Sequence, residues 1–195
     1  FLRELEDLER AYLRNSDPIE QSGFYGGPER WRAEREPILD AVPSDGEVLD
    51  TGCANGYLLE CLVLWGRERG LTLTPYGLDQ GRGLIELARR RQPHLADHFV
   101  VGNAWGWIPP RRFRYVYTLL DQVPPDYLVP YLHRLLEEVV APGGRLIAGD
   151  YGSRSRGIRA RDVAGVLHSA GLGVQGEAIG GEHGVARFAW VKRNP

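Results

Sequence analysis

Apolar positions along the chain switch between two spacings. Leu2, Leu5, Leu8 and Leu13 recur at helical intervals, so the opening segment predicts an amphipathic helix. The stretch "NSDPIEQSGFYGGPERW" interrupts it with proline and glycine, and a second helix is expected from Pro28 to Val42, with Pro28 suiting a first turn. After "PSDG", short apolar runs alternate with amphipathic stretches. The runs predict strands at Glu47–Asp50, Leu73–Leu78, His98–Val101, Phe113–Leu119, Gly144–Gly149, Leu172–Ala178 and Val185–Val191. The stretches between predict helices at Tyr57–Arg69, Gly81–Arg91, Asp126–Val140 and Arg159–Ala170. Only "GNAWGWIPPRR" joins the third strand to the fourth, with no room for a full helix. No internal repeat or low-complexity tract interrupts the pattern.

Such alternation, with apolar strands, implies a mostly parallel sheet covered on both faces. The last two strands are separated only by "IGGEHG" and are expected to form an antiparallel hairpin. The expected fold class is thus α/β: a doubly wound, mostly parallel seven-stranded sheet with a C-terminal antiparallel hairpin. An N-terminal helical cap over residues 1–42 would precede a domain over residues 43–195.

Composition narrows the function classes. A chain of 195 residues suits one domain with a real core, and 43% apolar with 26% charged residues is ordinary for a globular protein. A formal charge of −2 gives no general attraction to nucleic acid or to anionic membranes. The longest apolar run, Tyr57 to Trp65, falls well short of the ~20 residues a membrane span takes. The opening "FLRELEDLERAYLR" is charged and amphipathic, unlike a secretory leader. Cys53 and Cys61 lack CxxC spacing and read as reduced thiols, Cys53 as a small filler in its turn; a cytoplasmic protein is expected. The absence of any Met suggests trimmed ends.

The segment "VLDTGCANGYLLECL", Val48 to Leu62, places an apolar strand, then a turn of small residues, then a helix. Gly52 and Gly56 remove side chains where a ligand would approach, and Ala54 nearly does. The turn feeds a helix N-terminus, whose free N–H groups favour polar or anionic ligand atoms. A G-x-G-x-x-G dinucleotide fingerprint does not fit, since Ala54 and Tyr57 take its second and third glycine positions, and no Gly-Lys-Ser/Thr follows for a P-loop.

The pattern D-x-G-x-A-x-G instead resembles the first motif of class I S-adenosylmethionine-dependent methyltransferases, usually [DE]-x-G-x-G-x-G. "YGLDQ" closes the second strand with Asp79, where that family places an acid on the ribose hydroxyls. "VGNAWGW" closes the third, and Asn103-Ala104 matches the position that contacts adenine. "FRYVYTLLDQVPPDYLVPYLHRLLEEVVAPGGRLIAGD" resembles the family's fourth strand, helix and fifth strand, including the turn at Pro142–Gly144. The resemblance spans about Val42 to Lys192. It implies a Rossmann-like domain, S-adenosylmethionine as cofactor, and a donor site of Asp50, Gly52, Ala54, Gly56, Asp79, Gln80, Asn103, Ala104 and Trp105. Ala54 departs from the motif and fits if its φ is negative.

The acceptor side is less legible. His183 is the first candidate base, because imidazole titrates near neutrality and its loop is expected to overhang the pocket; an exposed hairpin His is the plainer alternative. Asp121 is a second candidate, or a cap on the helix starting near Pro125. Tyr25 and Trp31 could close over the pocket, with Gly23, Gly26 and Gly27 as hinges. Trp107, His133 and His168 read as packing or surface residues. His94 and His98 are four apart, but Pro93 and the lack of a third ligand argue against a metal. The expected partner is a small-molecule acceptor methylated on oxygen or nitrogen. Two rivals stay open: a non-catalytic S-adenosylmethionine-binding protein, and an RNA methyltransferase using Arg154, Arg156, Arg159 and Arg161.

Overall fold

A computed structural model describes residues 2–194. A helix, α1 (Leu2–Leu13), opens the chain; the side chains of Leu2, Leu5 and Leu8 lie outside the described residues. The rest of the cap is α2 (Gly27–Arg35) and a 3-10 turn over Glu36–Ala41. The expected single helix stops being α-helical here because Pro37 has no N–H to donate. There follow β1 (Gly46–Asp50), α3 (Tyr57–Glu68), β2 (Leu73–Asp79), α4 (Arg82–Arg91), β3 (Phe99–Val101) and β4 (Phe113–Leu119). The chain ends with α5 (Pro125–Arg134), β5 (Val140–Tyr151), α6 (Val163–Ser169), β6 (Val174–Gly180) and β7 (Ala186–Lys192).

The seven strands form one sheet in the order β3-β2-β1-β4-β5-β7-β6. The first five strands pair in parallel, whereas β7 runs antiparallel to both β5 and β6. The chain winds outward from β1 through β2 to β3, then returns to place β4 on the other flank of β1. That reversal opens a crevice at the carboxyl ends of β1 and β4, where such sheets bind ligands. Register sets Asp50 beside Gly77 on one side and Tyr117 on the other.

Side-chain alternation along the strands builds a core on each face. Val48, Tyr115, Tyr117 and Ile147 pack under α3 and the cap, while Leu49, Val116, Leu146 and Ala148 pack under α5 and α6. Ile19, Trp31, Ile38 and Leu39 of the cap are buried in the first of these cores. Each such side chain contributes about 1.5–3 kcal/mol, which holds the cap firmly on the sheet.

Three boundaries differ from expectation, each for a local reason. The helix expected from Arg159 starts at Val163, because Asp162 caps it by accepting Gly165 N–H at 3.2 Å. Leu172 does not begin β6. Gly171 (φ 76) and Leu172 instead close the end of α6, donating to His168 O at 2.9 Å and Leu167 O at 3.0 Å. The Pro142–Gly144 turn becomes a bulge inside a longer β5, where the pairing jumps from Phe113↔Val140 to Tyr115↔Arg145. No helix among the described residues is long and apolar enough to cross a membrane.

Candidate active site

The turn after β1 is tied to both neighbouring strands. Thr51 N–H donates to Tyr117 O at 3.1 Å and Cys53 N–H to Leu78 O at 3.1 Å. Ala54 N–H donates to Asp79 Oδ2 at 2.8 Å, and Gly81 N–H to Asp79 Oδ1 at 2.8 Å. Asp79 is thereby clamped between the first and second strand ends. Ala54 has φ 46, so the expectation of a negative φ is corrected. A left-handed alanine costs about 1–2 kcal/mol; the bond to Asp79 holds it there. Gly56 has φ 74, and a Cβ on it would come within 3.0 Å of Ala88 and the Phe99 ring, so this last motif position needs glycine.

Asp50 is buried and accepts Gly52 N–H at 3.2 Å. Loss of water raises its carboxyl to about 7, and the nearby Asp79 charge adds to the shift. Burial also raises the Asp79 carboxyl from its ordinary value, against the pull of backbone donors at Gly81, Ala54 and Gln80. Gly52 is bare because the Gln122 amide rests on it: a Cβ there would meet Gln122 Nε2 at 2.6 Å.

Two cavities lie near this turn, the smaller with Gln122 in its lining and the larger with Gly52 in its own. The larger, about 800 Å³, has Asp50, Gly52 and Ala54 on its floor and Tyr117, Tyr151 and Asp121 on its wall. The cap covers it with Tyr12, Phe24, Tyr25, Trp31 and Arg35. The smaller, about 350 Å³, is lined by Gln80, Asn103, Trp105, Gln122 and Tyr127 among others. Trp105 and Tyr127 meet edge to face at 5.4 Å. Asn103 donates to Gln80 Oε1 at 3.2 Å and accepts Trp105 N–H at 2.8 Å, which fixes the loop. Ala104 is buried beneath this loop, its carbonyl accepting from Arg134 at 2.9 Å.

The acceptor-side expectations divide. Asp121 lines the large cavity, and the surrounding protein raises its carboxyl by desolvation. His183 is exposed in the β6–β7 turn and lies outside the lining of that cavity. Tyr25 is an exposed rim residue. Trp31 is a fixed wall: it is buried, and its indole N–H donates to Cys61 Sγ at 3.3 Å. Gly23, named as a hinge, is instead closely packed, since a Cβ there would meet Tyr12 Oη at 2.3 Å. Among the described residues no three metal-ligating side chains come together. In the basic loop, Arg154 pairs with Glu182 at 2.8 Å and Arg161 with Asp150 at 2.5 Å.

Sequence reasoning missed Asn55 and Arg35. Asn55 is fully buried and joins the cap to the turn: it donates to Pro18 O at 2.9 Å and accepts from Ser22 Oγ at 3.0 Å and Tyr57 N–H at 3.2 Å. Its signal was position, next to Ala54 in a turn made otherwise of small residues. Arg35 sits four residues after Trp31, on the apolar face of α2; a charge on a buried stripe was the sign.

Neither a family model nor a curated protein matches the sequence. Solved structures do match its shape. The N-methyltransferase NodS from Bradyrhizobium japonicum WM9, in complex with S-adenosyl-L-homocysteine, has a TM-score of 0.72 at 16% identity over 97% of this chain and 98% of that one. A complex of DhpI with S-adenosyl-homocysteine gives 0.66 at 21% identity, covering 96% of this chain and 93% of that one. A SAM-dependent methyltransferase from Aquifex aeolicus gives 0.64 at 18% identity, covering 92% and 100%. Seven strands in this order, the reversed last strand and the covering helices make this the class I methyltransferase fold.

Proposed function

We propose that the protein is an S-adenosylmethionine-dependent methyltransferase acting on an oxygen or nitrogen of a small molecule. The observation that carries this reading is Asp79, clamped by Ala54 N–H and Gly81 N–H at the carboxyl end of β2. A carboxylate oriented in this way suits two adjacent ribose hydroxyls. The residues present fit the rest of the donor. Trp105, Tyr127 and Asn103 line a slot suited to a flat base, and Asp50, in the larger cavity, suits the cationic amino-acid end. Asp50 would ionise readily once such a cation offsets its burial.

The bound donor supplies an activated methyl group, so the protein's work is alignment and exclusion of water. Alignment can contribute about 7–11 kcal/mol to lowering the barrier. The cap walls the large cavity with aromatic side chains, and Asp121, which also lines it, would receive the acceptor's proton.

Calorimetry with S-adenosyl-homocysteine tests the donor site. Saturating ligand at ~100-fold its Kd should stabilise the protein by about 2.7 kcal/mol. No heat and no melting shift at millimolar ligand would overturn the reading. Turnover of isotope-labelled donor with an acceptor library separates an enzyme from a protein that only binds the donor.

A further inference from the structure

The cap buries an arginine held by ring faces and one long ion pair. Arg35 is 8% exposed, and its guanidinium carbon lies 3.9 Å from the Trp31 ring, 4.3 Å from Phe24 and 4.6 Å from Tyr151. The nearest acid, Glu34, places Oε2 3.7 Å from Arg35 Nη1, too far for a hydrogen bond. Its other oxygen is held by Arg30 at 2.8 Å. Nη1 is buried without a hydrogen-bond partner. Ring faces return only part of what a desolvated guanidinium loses. A planar fork held this way is preorganised for a carboxylate or a similar oxyanion.

Arg35 lines the large cavity together with Arg30, Arg154 and Arg156. Four arginines thus share the lining with three acids: Glu34, already engaged by Arg30, Asp50 at the donor turn, and Asp121.

We propose that Arg35, boxed by Phe24, Trp31 and Tyr151, binds an oxyanion of the methyl acceptor, so that the substrate is an anionic small molecule. This rests on the methyltransferase reading and adds the substrate class to it. Tyr151 ends β5, two strands from β1 in the sheet order, which is about 10 Å at ordinary strand spacing. An anion on the acceptor would leave S-adenosyl-homocysteine binding independent of Arg35, whereas the donor's own carboxylate there would compete with added oxyanions. In the transfer, a lone pair on the acceptor's oxygen or nitrogen forms the new bond to carbon. The carbon–sulfur bond breaks with its electron pair left on sulfur, and the acceptor's proton passes to a base.

The test titrates acetate, sulfate and methylphosphonate against chloride at matched ionic strength, on protein saturated with S-adenosyl-homocysteine. Melting temperature and tryptophan fluorescence are read. The expected result is saturable millimolar binding of at least one oxyanion to the saturated wild type. It should weaken at least tenfold in Arg35→Lys and vanish in Arg35→Gln, while affinity for S-adenosyl-homocysteine stays within threefold. No saturable oxyanion binding to the wild type overturns the proposal even if the variants fail to fold. Oxyanions that compete with S-adenosyl-homocysteine, or a tenfold loss of its affinity in Arg35→Gln, assign the anion to the donor and overturn it too. Failure of the wild type to bind S-adenosyl-homocysteine at all would sink the donor reading instead.

Discussion

On the β1–β2 side of the cleft, the backbone does the holding: the N–H groups of Gly52, Ala54 and Gly81 pin the carboxyl groups of Asp50 and Asp79. On the β4–β5 side and under the cap the wall is all side chain, with Tyr117 and Tyr151 joined through their hydroxyls at 3.1 Å and Arg35 among aromatic rings. Carboxyl groups pinned by backbone donors keep one geometry, whereas a wall of side chains can be re-cut for another ligand. The first half is thus built for a constant partner and the second for a particular one. It is also why the first half could be matched to a family by motif while the second could not.

The largest effect should come from the acidic half. Asp50 has a folded pKa of about 7, against an ordinary value of 3.8. Between those values the folded state keeps a proton that the unfolded state has released, so stability falls as pH rises from about 4 to about 7 and levels off above. The group contributes about 4 kcal/mol of this loss. Denaturation of the free protein across pH 4–8 measures it, and Asp50→Asn should flatten the curve; an unchanged slope would mean that Asp50 is not the group. Next in size, Asp79→Ala should weaken S-adenosyl-homocysteine binding by about 30- to 100-fold, or about 2–3 kcal/mol, because the turn and the diol lose the same anchor. Calorimetry showing equal affinity would remove Asp79 from the site.

A third substitution probes the joint between the halves. Asn55→Ala leaves Pro18 O and Tyr57 N–H without their buried partner and should cost about 1–3 kcal/mol. Hydrogen exchange should then quicken around residues 15–25 more than in the sheet; uniform quickening would deny Asn55 its special place. The smallest effect runs the other way. Ala54→Gly relieves φ 46 and should stabilise the protein by up to about 1 kcal/mol, read as a higher denaturation midpoint at unchanged m-value. Destabilisation would show that the alanine methyl is doing useful packing.

The sequence made the strand ends legible because each apolar run stopped at a chemically distinctive residue: Asp50, Asp79, Asn103. Glycines marked the turn, and the missing crossover helix was plain from spacing. Less readable were features made by contacts between distant residues. Asn55 takes its meaning from Pro18 and Ser22, more than thirty positions upstream. Arg35 looked like one more charge in "ERWRAERE", and only packing against Tyr151 of β5 shows what surrounds it. His183 was read from its loop alone, and the turn holds it at φ 57 on the exposed surface.

One amide has a kinetic consequence. Because Asn55 clasps Pro18 and Ser22 to the very turn that would carry the donor, release through the cap would have to break this clasp together with the buried contacts of Ile19 and Trp31. Release by that route would make turnover slow in viscous solvent.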